Sequence, residues 1–257
     1  MLEALNEALK EVHYTPKLII IDDVENLPVP NEKVALSINP SMDKTALIIY
    51  TSGTTGSPKG VMLSFQNLMV NISAVTHEIE ILVPSDTALV LLPLHHIFPL
   101  MGSMIASCYL GARMAFSPSM ASEDIIRTMQ DYKVSTIIGV PRLYSAIRRG
   151  IMDKINKSLI ARGLYRLAAK VNSYTFSRIV FATVHKKFGG SIRYLVSGGA
   201  ALDPVVARDF QVLGFKILEG FGMTEAAPMI TFTRPHKIVV GSAGAPVDCC
   251  KVDFVNG

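Results

Sequence analysis

The chain has 257 residues, 49% of them apolar and 18% charged, with mean hydropathy +0.36, a balance that excludes an intrinsically disordered polymer. Its 18 Gly and 14 Pro follow no period, and 3 Cys are too few for a disulfide scaffold. The formal net charge of +4 conceals an asymmetry: residues 142–193 hold 12 Lys or Arg against one acid, Asp153. Such a basic block suits an anionic lipid surface, a phosphorylated ligand, nucleic acid or an acidic neighbouring domain, or else forms a solvated helical face.

Short β-branched or aliphatic runs alternate with segments of helical length, which predicts βαβ units and an α/β fold of layered, mostly parallel sheets flanked by helices. Strands are expected at 17–21, 46–51, 88–92, 113–116, 136–139, 192–197 and 215–219. Helices are expected at 64–79, 101–110, 122–132, 141–156, 159–187 with a break, and 204–213, the last opened by Asp203 as N-cap and Pro204 in the first turn. Residues 27–44, with Pro28, Pro30 and Pro40, read as a linker, and 142–191 as a basic helical insert. The whole chain reads as part of one domain.

Between Asp86 and Arg113 no Asp, Glu, Lys or Arg occurs, a gap long enough to span a bilayer. Pro93, His95, His96 and Pro99 cut it into a strand, a polar turn and a short apolar helix, so sheet core is the expected reading. Cys108, Cys249 and Cys250 are odd in number and lack metal spacing, which suits a reducing compartment. The start, MLEALNEALKE, has no apolar export region, so cytoplasm is the expected location.

The most informative stretch is YTSGTTGSPKGV at 50–61. Gly53, Gly56 and Gly60 allow close backbone approach, while Thr51, Ser52, Thr54, Thr55 and Ser57 supply hydroxyls and Lys59 a cation. These groups suit a polyphosphate, wrapped by backbone N–H groups and hydroxyls and neutralised by the ammonium. The Walker pattern is absent, because Lys59 follows Pro58 and precedes Gly60. A plain flexible turn is an improbable use of so many phosphate-binding groups in ten residues.

This stretch closely resembles the phosphate-binding signature of the AMP-forming adenylating enzymes, the superfamily of acyl-CoA synthetases, firefly luciferase and nonribosomal peptide adenylation domains. Further blocks follow in that family's order: LPLHHIF at 92–98, SGGAAL at 197–202, EGFGMTE at 219–225 and GSAGAP at 241–246. The resemblance implies that Thr51, Ser52, Gly53, Thr54, Thr55, Gly56 and Lys59 grip the β- and γ-phosphates of ATP. It places adenine against Gly198, Gly199 and Ala200, with Phe221 stacked on it, and the nucleotide beside Glu219, Gly220, Gly222 and Met223. Thr224 would bond the α-phosphate or the substrate carboxylate, Glu225 and Thr55 would help hold Mg²⁺, and His96 would close off the acyl-binding region, leaving His95 as a packing residue.

The long segment between VPRLY at 140–144 and YLVSGGAAL at 194–202 is similar to the long-chain fatty acyl-CoA synthetases. That likeness implies a two-step reaction: fatty acid plus ATP gives acyl-AMP and pyrophosphate, then coenzyme A displaces AMP. Adenylation of another carboxylic acid, or a non-catalytic nucleotide-binding or membrane-docking module, are the alternatives. Peripheral contact with anionic lipid follows from the basic block. Nucleic acid is not an expected partner, since few aromatic residues accompany that block. No TGD-type ribose block, hinge or C-terminal domain with its adenylation lysine is found. The expectation is therefore the middle portion of such a ligase, inactive when isolated.

Overall fold

A computed structural model describes residues 41–51 and 57–255; the expected strand at 17–21, most of the expected linker and Ser52, Gly53, Thr54, Thr55 and Gly56 lie outside them. Two sheets are present among the described residues. The smaller is an antiparallel hairpin of β1 (Thr45–Thr51) and β2 (Lys59–Ser64). The larger has seven strands in the order β4-β3-β5-β6-β7-β8-β9. They are β3 (Thr87–Val90), β4 (Arg113–Phe116), β5 (Thr136–Gly139), β6 (Tyr194–Ser197), β7 (Ile217–Gly222), β8 (Met229–Phe232) and β9 (Ala245–Pro246). Strands β4 to β7 of that order pair in parallel, and β8 and β9 are added antiparallel at one side. The mixed α/β architecture with a mostly parallel central sheet agrees with the sequence reading.

Register explains why the parallel strands are continuous apolar runs. Ile137 pairs with Leu195 and Leu195 with Ile217, while Ile138 pairs with Val196 and Val196 with Leu218. The first set faces one buried cluster and the second set the other, so both faces of the sheet are covered. Each such aliphatic side chain contributes about 1.5–3 kcal/mol when fully buried.

Helices supply the cover. They are α1 (Phe65–Ser73), α2 (Ala106–Leu110), α3 (Ser122–Asp131), α4 (Pro141–Asn156), α5 (Leu159–Val171), α6 (Tyr174–Val180), α7 (Ala182–Lys187) and α8 (Pro204–Val212). Ser64 and Asn67 form a capping box that starts α1, and Asp203 caps α8 through the Val205 N–H with Pro204 in the first turn, as expected. The predicted helix at 159–187 is three helices. Asn172 adopts a left-handed conformation and Ser173 caps the next start, and a second break falls at Phe181. Around 97–110, a helical turn (Ile97–Pro99) and a π-helical stretch (Leu100–Ile105) lead into α2. Among the described residues no helix is long and apolar enough to cross a membrane.

Three sheet elements were not foreseen. The segment after the phosphate loop is β2, so that loop closes a hairpin instead of running from a parallel strand into a helix. Its KGVMLS sequence hides a strand behind Gly60 and the adjoining cap at Ser64. Strands β8 and β9 also went unread, because each is short and Pro or Gly residues flank them.

A polar hub fixes the N-terminal ends of the parallel strands. Buried Asp86, just before β3, accepts from Ser135 Oγ at 2.7 Å, Val83 N at 2.8 Å and Arg193 at 2.5 Å. Ser135 precedes β5 and Arg193 precedes β6, so one carboxylate aligns three strand starts. Higher up, the buried Tyr144 hydroxyl of α4 donates to the Val196 carbonyl at 2.7 Å, with the Ile137 carbonyl at 3.0 Å. Burial drives the phenol's ionisation far above its ordinary range, so this bond stays formed.

Candidate functional site

The C-terminal ends of the parallel strands are where most of the sequence-predicted residues gather. Gly139 of β5 pairs with Ser197 of β6, and Ser197 with Glu219 of β7, so the residues after each strand emerge at one level. The chain runs from β3 outward to β4 and then returns to the other side of β3 for β5. That reversal creates a crevice at the carboxyl ends of β3 and β5, the usual ligand position in an open α/β sheet.

The LPLHHIF and SGGAAL segments meet there. A Cβ on Gly198 would lie 2.7 Å from the Phe98 ring, so only glycine lets the ring rest on the turn. Gly199 adopts φ +80°, a left-handed turn that exposes its backbone beside Val140. His95 and His96 are both exposed, with ring centroids 4.2 Å apart, and His96 precedes the helical turn Ile97–Pro99. The structure thus does not single out His96 from its neighbour by burial.

The EGFGMTE segment divides into packing and presenting residues. Gly220 fits under Met229 and Phe232, and a Cβ on Gly222 would stand 2.1 Å from the Pro228 carbonyl oxygen, so both glycines serve the approach of β8. Between them Phe221 is 55% exposed, its ring turned outward as a stacking surface requires. Glu219 is half-buried between the SGGAAL turn and the GSAGAP loop, with the backbone of Leu202 and of Gly241 near enough to its carboxylate to favour the charged form. Burial raises its pKa, and those two backbone groups act in the opposite direction. Met223 is exposed, and Thr224 and Glu225 begin a short 3₁₀ turn (Thr224–Ala226) in which the Glu225 side chain is exposed.

Two elements bring the phosphate hairpin to that turn. Thr51 and Lys59 pair directly across β1 and β2, so they bracket the loop, and β2 packs against the 3₁₀ turn. Asn71 of α1 then locks the turn in place. Its amide nitrogen donates to Met229 O at 2.8 Å and Ala226 O at 3.3 Å, and its amide oxygen accepts from Met229 N at 3.2 Å. Sequence reading missed Asn71; its signal was a polar residue amid LMVNIS, on the helix face beside buried Ile72. It also missed the Glu78–Arg234 ion pair, which joins the π-helical extension of α1 (Ala74–Glu78) to the segment after β8.

No cluster of three His, Cys, Asp or Glu side chains exists among the described residues, so a cation caged by protein alone finds no place there. A single exposed carboxylate such as Glu225 fits Mg²⁺, which keeps waters and is held largely by substrate phosphates.

A large apolar cavity of about 830 Å³ lies between α3, α4 and the helices α5 to α7. Leu92 and Val140, at the carboxyl ends of β3 and β5, form one part of its wall, while Arg142, Lys154 and Lys187 are its cationic members. A second cavity of about 20 Å³, lined by Asn71, Phe98, Gly102 and Ile138 among others, lies on the other side of the sheet.

The model of the AMP-binding enzyme family matches residues 2–257. The peroxisomal long chain acyl-CoA synthetase 7 of Arabidopsis thaliana is 32% identical over 232 residues, 84% of this chain and 32% of that protein. Human long-chain-fatty-acid–CoA ligase 1 is 31% identical over 235 residues, 84% of this chain and 33% of that protein. The chain therefore spans about a third of the length of these curated relatives. Among solved structures, ATP-bound MatB from Rhodopseudomonas palustris aligns with TM-score 0.62 and 26% identity, covering 82% of this chain and 35% of that one. The o-succinylbenzoate coenzyme A synthetase of Bacillus subtilis, in complex with ATP and magnesium ion, shares the fold at TM-score 0.61 and 24% identity over 82% of this chain and 37% of that one.

Proposed function

The chain belongs to the AMP-binding enzyme family, and from that premise we propose that it carries the nucleotide-binding part of an AMP-forming long-chain fatty acid:CoA ligase. In the first half-reaction a fatty carboxylate oxygen bonds to the α-phosphorus of ATP and the bond to the bridging oxygen breaks, releasing pyrophosphate. In the second the thiol of coenzyme A adds to the acyl carbonyl, AMP leaves, and the thiol proton passes to solvent. The observation that carries the acyl assignment is the apolar cavity of about 830 Å³ beside the strand ends. Its size falls in the range of roughly 300–1,000 Å³ typical of ligand pockets, and most of its lining residues are aliphatic or aromatic. Similarity to long-chain acyl-CoA synthetases from a plant and from human supports the same substrate class.

In this reading Lys59 and Thr51, Ser52, Gly53, Thr54, Thr55 and Gly56 bind the β- and γ-phosphates. Phe221 stacks on adenine along the backbone of Gly198, Gly199 and Ala200. Thr224 donates to the α-phosphate, where negative charge builds as the carboxylate attacks. Glu225, with Thr55, holds Mg²⁺, and the ion supplies Lewis-acid stabilisation of the phosphoryl oxygens when bound. His96 borders the acyl carboxylate. The free thiols Cys108, Cys249 and Cys250 are in keeping with a reducing compartment such as cytoplasm.

The test is ATP- and CoA-dependent thioester formation by the whole protein across saturated fatty acids of increasing length and a set of aryl acids. Long chains should give the highest kcat/KM. Lys59→Ala and Glu225→Gln should each lower it by on the order of 10² or more, as loss of a transition-state contact does. Preference for aryl acids would overturn the substrate class, and wild-type rates in both variants would overturn the site.

A further inference from the structure

Cys249 and Cys250 form a side-chain cluster that the nucleotide contacts proposed above leave unused. Their sulfurs lie 4.0 Å apart, both are free thiols, and Cys249 is exposed. A hydrogen-bonded turn presents them: the Cys250 N–H donates to the Val247 carbonyl at 2.8 Å. That turn is pinned to two other segments, since Val247 N–H donates to the Ile230 carbonyl at 2.9 Å and Asp248 N–H to Glu78 Oε2 at 3.0 Å. Asn71 Nδ2 donates toward Cys249 Sγ at 4.0 Å, and the Cys250 thiol donates to the Met229 carbonyl at 3.6 Å. The pair is thus held in place before anything binds, which lowers the cost of ordering a ligand site.

We propose that Cys249 and Cys250 bind one cuprous ion through both sulfurs. Distance favours an ion over a disulfide. Two sulfurs bonded to one metal at about 2.3 Å each stand about 3.8 Å apart at a tetrahedral angle and about 4.6 Å apart when linear, and the observed 4.0 Å falls between these limits. A disulfide would instead need the sulfurs at about 2.05 Å. It would also join neighbours across a trans peptide, whose Cα atoms are about 3.8 Å apart, closer than the roughly 4.4 Å at which unstrained disulfides begin. Burial, and then the neighbouring thiol, push the Cys249 thiol up to about 11, so at neutral pH it is a protonated thiol and a slow partner in disulfide exchange.

Donor number and softness choose the ion. Zinc takes four ligands in a protein-built site, and no third His, Cys, Asp or Glu joins this pair among the described residues. Glu78, the carboxylate that anchors the turn, is already occupied by Arg234 and the Asp248 N–H. Soft thiolates select Cu(I), a closed-shell ion that two sulfurs satisfy, so adjacent cysteines without the spacing of a zinc motif suffice. On binding, each thiol gives up its proton to solvent and each sulfur forms one bond to copper, which stays Cu(I); nothing is oxidised or reduced. The Asn71 amide then faces a thiolate, a stronger acceptor than the thiol it replaces.

The test titrates the whole protein, reduced and kept anaerobic, with the coloured Cu(I) complex of bicinchoninate, whose absorbance falls as the ion is taken. Wild type and Cys108→Ser should each remove one equivalent. Cys249→Ser and Cys250→Ser should each weaken uptake by at least on the order of 10²-fold, more than loss of a group that merely orients a ligand. Copper should raise the Tm of wild type and leave that of both serine variants unmoved. X-ray absorption of the loaded wild type should show two sulfur neighbours, and this reading decides the matter if the serine variants fail to fold. Copper bound through nitrogen or oxygen, uptake that persists in both serine variants, or uptake lost in Cys108→Ser overturns the site. So does a wild type that leaves all copper with bicinchoninate, whether its thiols are free or its mass lacks two hydrogens because the pair has closed as a disulfide. None of these readings uses ATP or a fatty acid, so the site stands or falls separately from the proposed function.

Discussion

Replacing Asn71 by alanine should be among the most damaging single changes to the phosphate-binding face. The substitution removes the bonds to Ala226 and Met229 and the long contact to Cys249 Sγ, leaving the N–H of buried Met229 without its side-chain acceptor and its C=O with only the weak Cys250 thiol donor at 3.6 Å. Each unsatisfied buried backbone group costs about 1–3 kcal/mol, which brackets the loss at roughly 2–6 kcal/mol. Asn71 also lines the cavity of about 20 Å³, and the atoms removed would enlarge it enough to admit a water that restores part of the bonding. The expected cost is therefore about 2–4 kcal/mol. Asn71→Asp sharpens the test, because it keeps the acceptor for Met229 N–H but turns a carboxylate oxygen toward two carbonyls. At pH 7 it should be worse than alanine. Those carbonyls would raise the folded-state pKa of the new carboxyl above its unfolded value near 3.9, so its penalty should shrink as pH falls into the carboxylate range. Urea unfolding of the three proteins at pH 7 and pH 5, with matched m-values, reads both effects. A loss below about 0.5 kcal/mol for alanine, or an aspartate variant milder than alanine at pH 7, would refute the reasoning.

Gly198→Ala should cost about 1–3 kcal/mol by pressing a methyl on to the Phe98 ring, and Phe98→Leu in the same chain should recover much of it, a coupling measurable by a double-mutant cycle. Glu219 has a folded-state pKa raised chiefly by burial, so the wild type loses stability as pH rises through that pKa. Glu219→Gln lacks this slope, and its stability relative to wild type should improve between acid and neutral pH in denaturant titrations. A constant difference would mean that the carboxyl titrates normally.

The parallel core was readable because strands such as TIIG and YLVS are buried on both faces and hence uniformly apolar, and helix starts were readable where Pro141, Asp203 or Ser64 announce them. The site was readable as ordered blocks of residues, but not as geometry. Asn71 acts through backbone groups far away in sequence, and no local pattern marks such a bond. Gly220 and Gly222, assigned to the nucleotide from their motif, owe their identity at least to the close approach of β8. The hairpin strand β2 was hidden because its partner is antiparallel in a chain whose other repeats suggested parallel pairing. Tertiary context decided it, not propensity.

The order of the large sheet also bears on how the chain avoids joining others. Among the described residues its outermost strands are β4, of four residues, and β9, of two, so the open rows of N–H and C=O groups at either side are very short. Arg113 opens the first of these strands and Pro246 closes the second, a charge and a missing donor at the places where a foreign strand would begin to pair. The uniformly apolar strands that make up the core are thereby kept from templating fibrils, and lengthening β9 by a few β-branched residues would remove that protection.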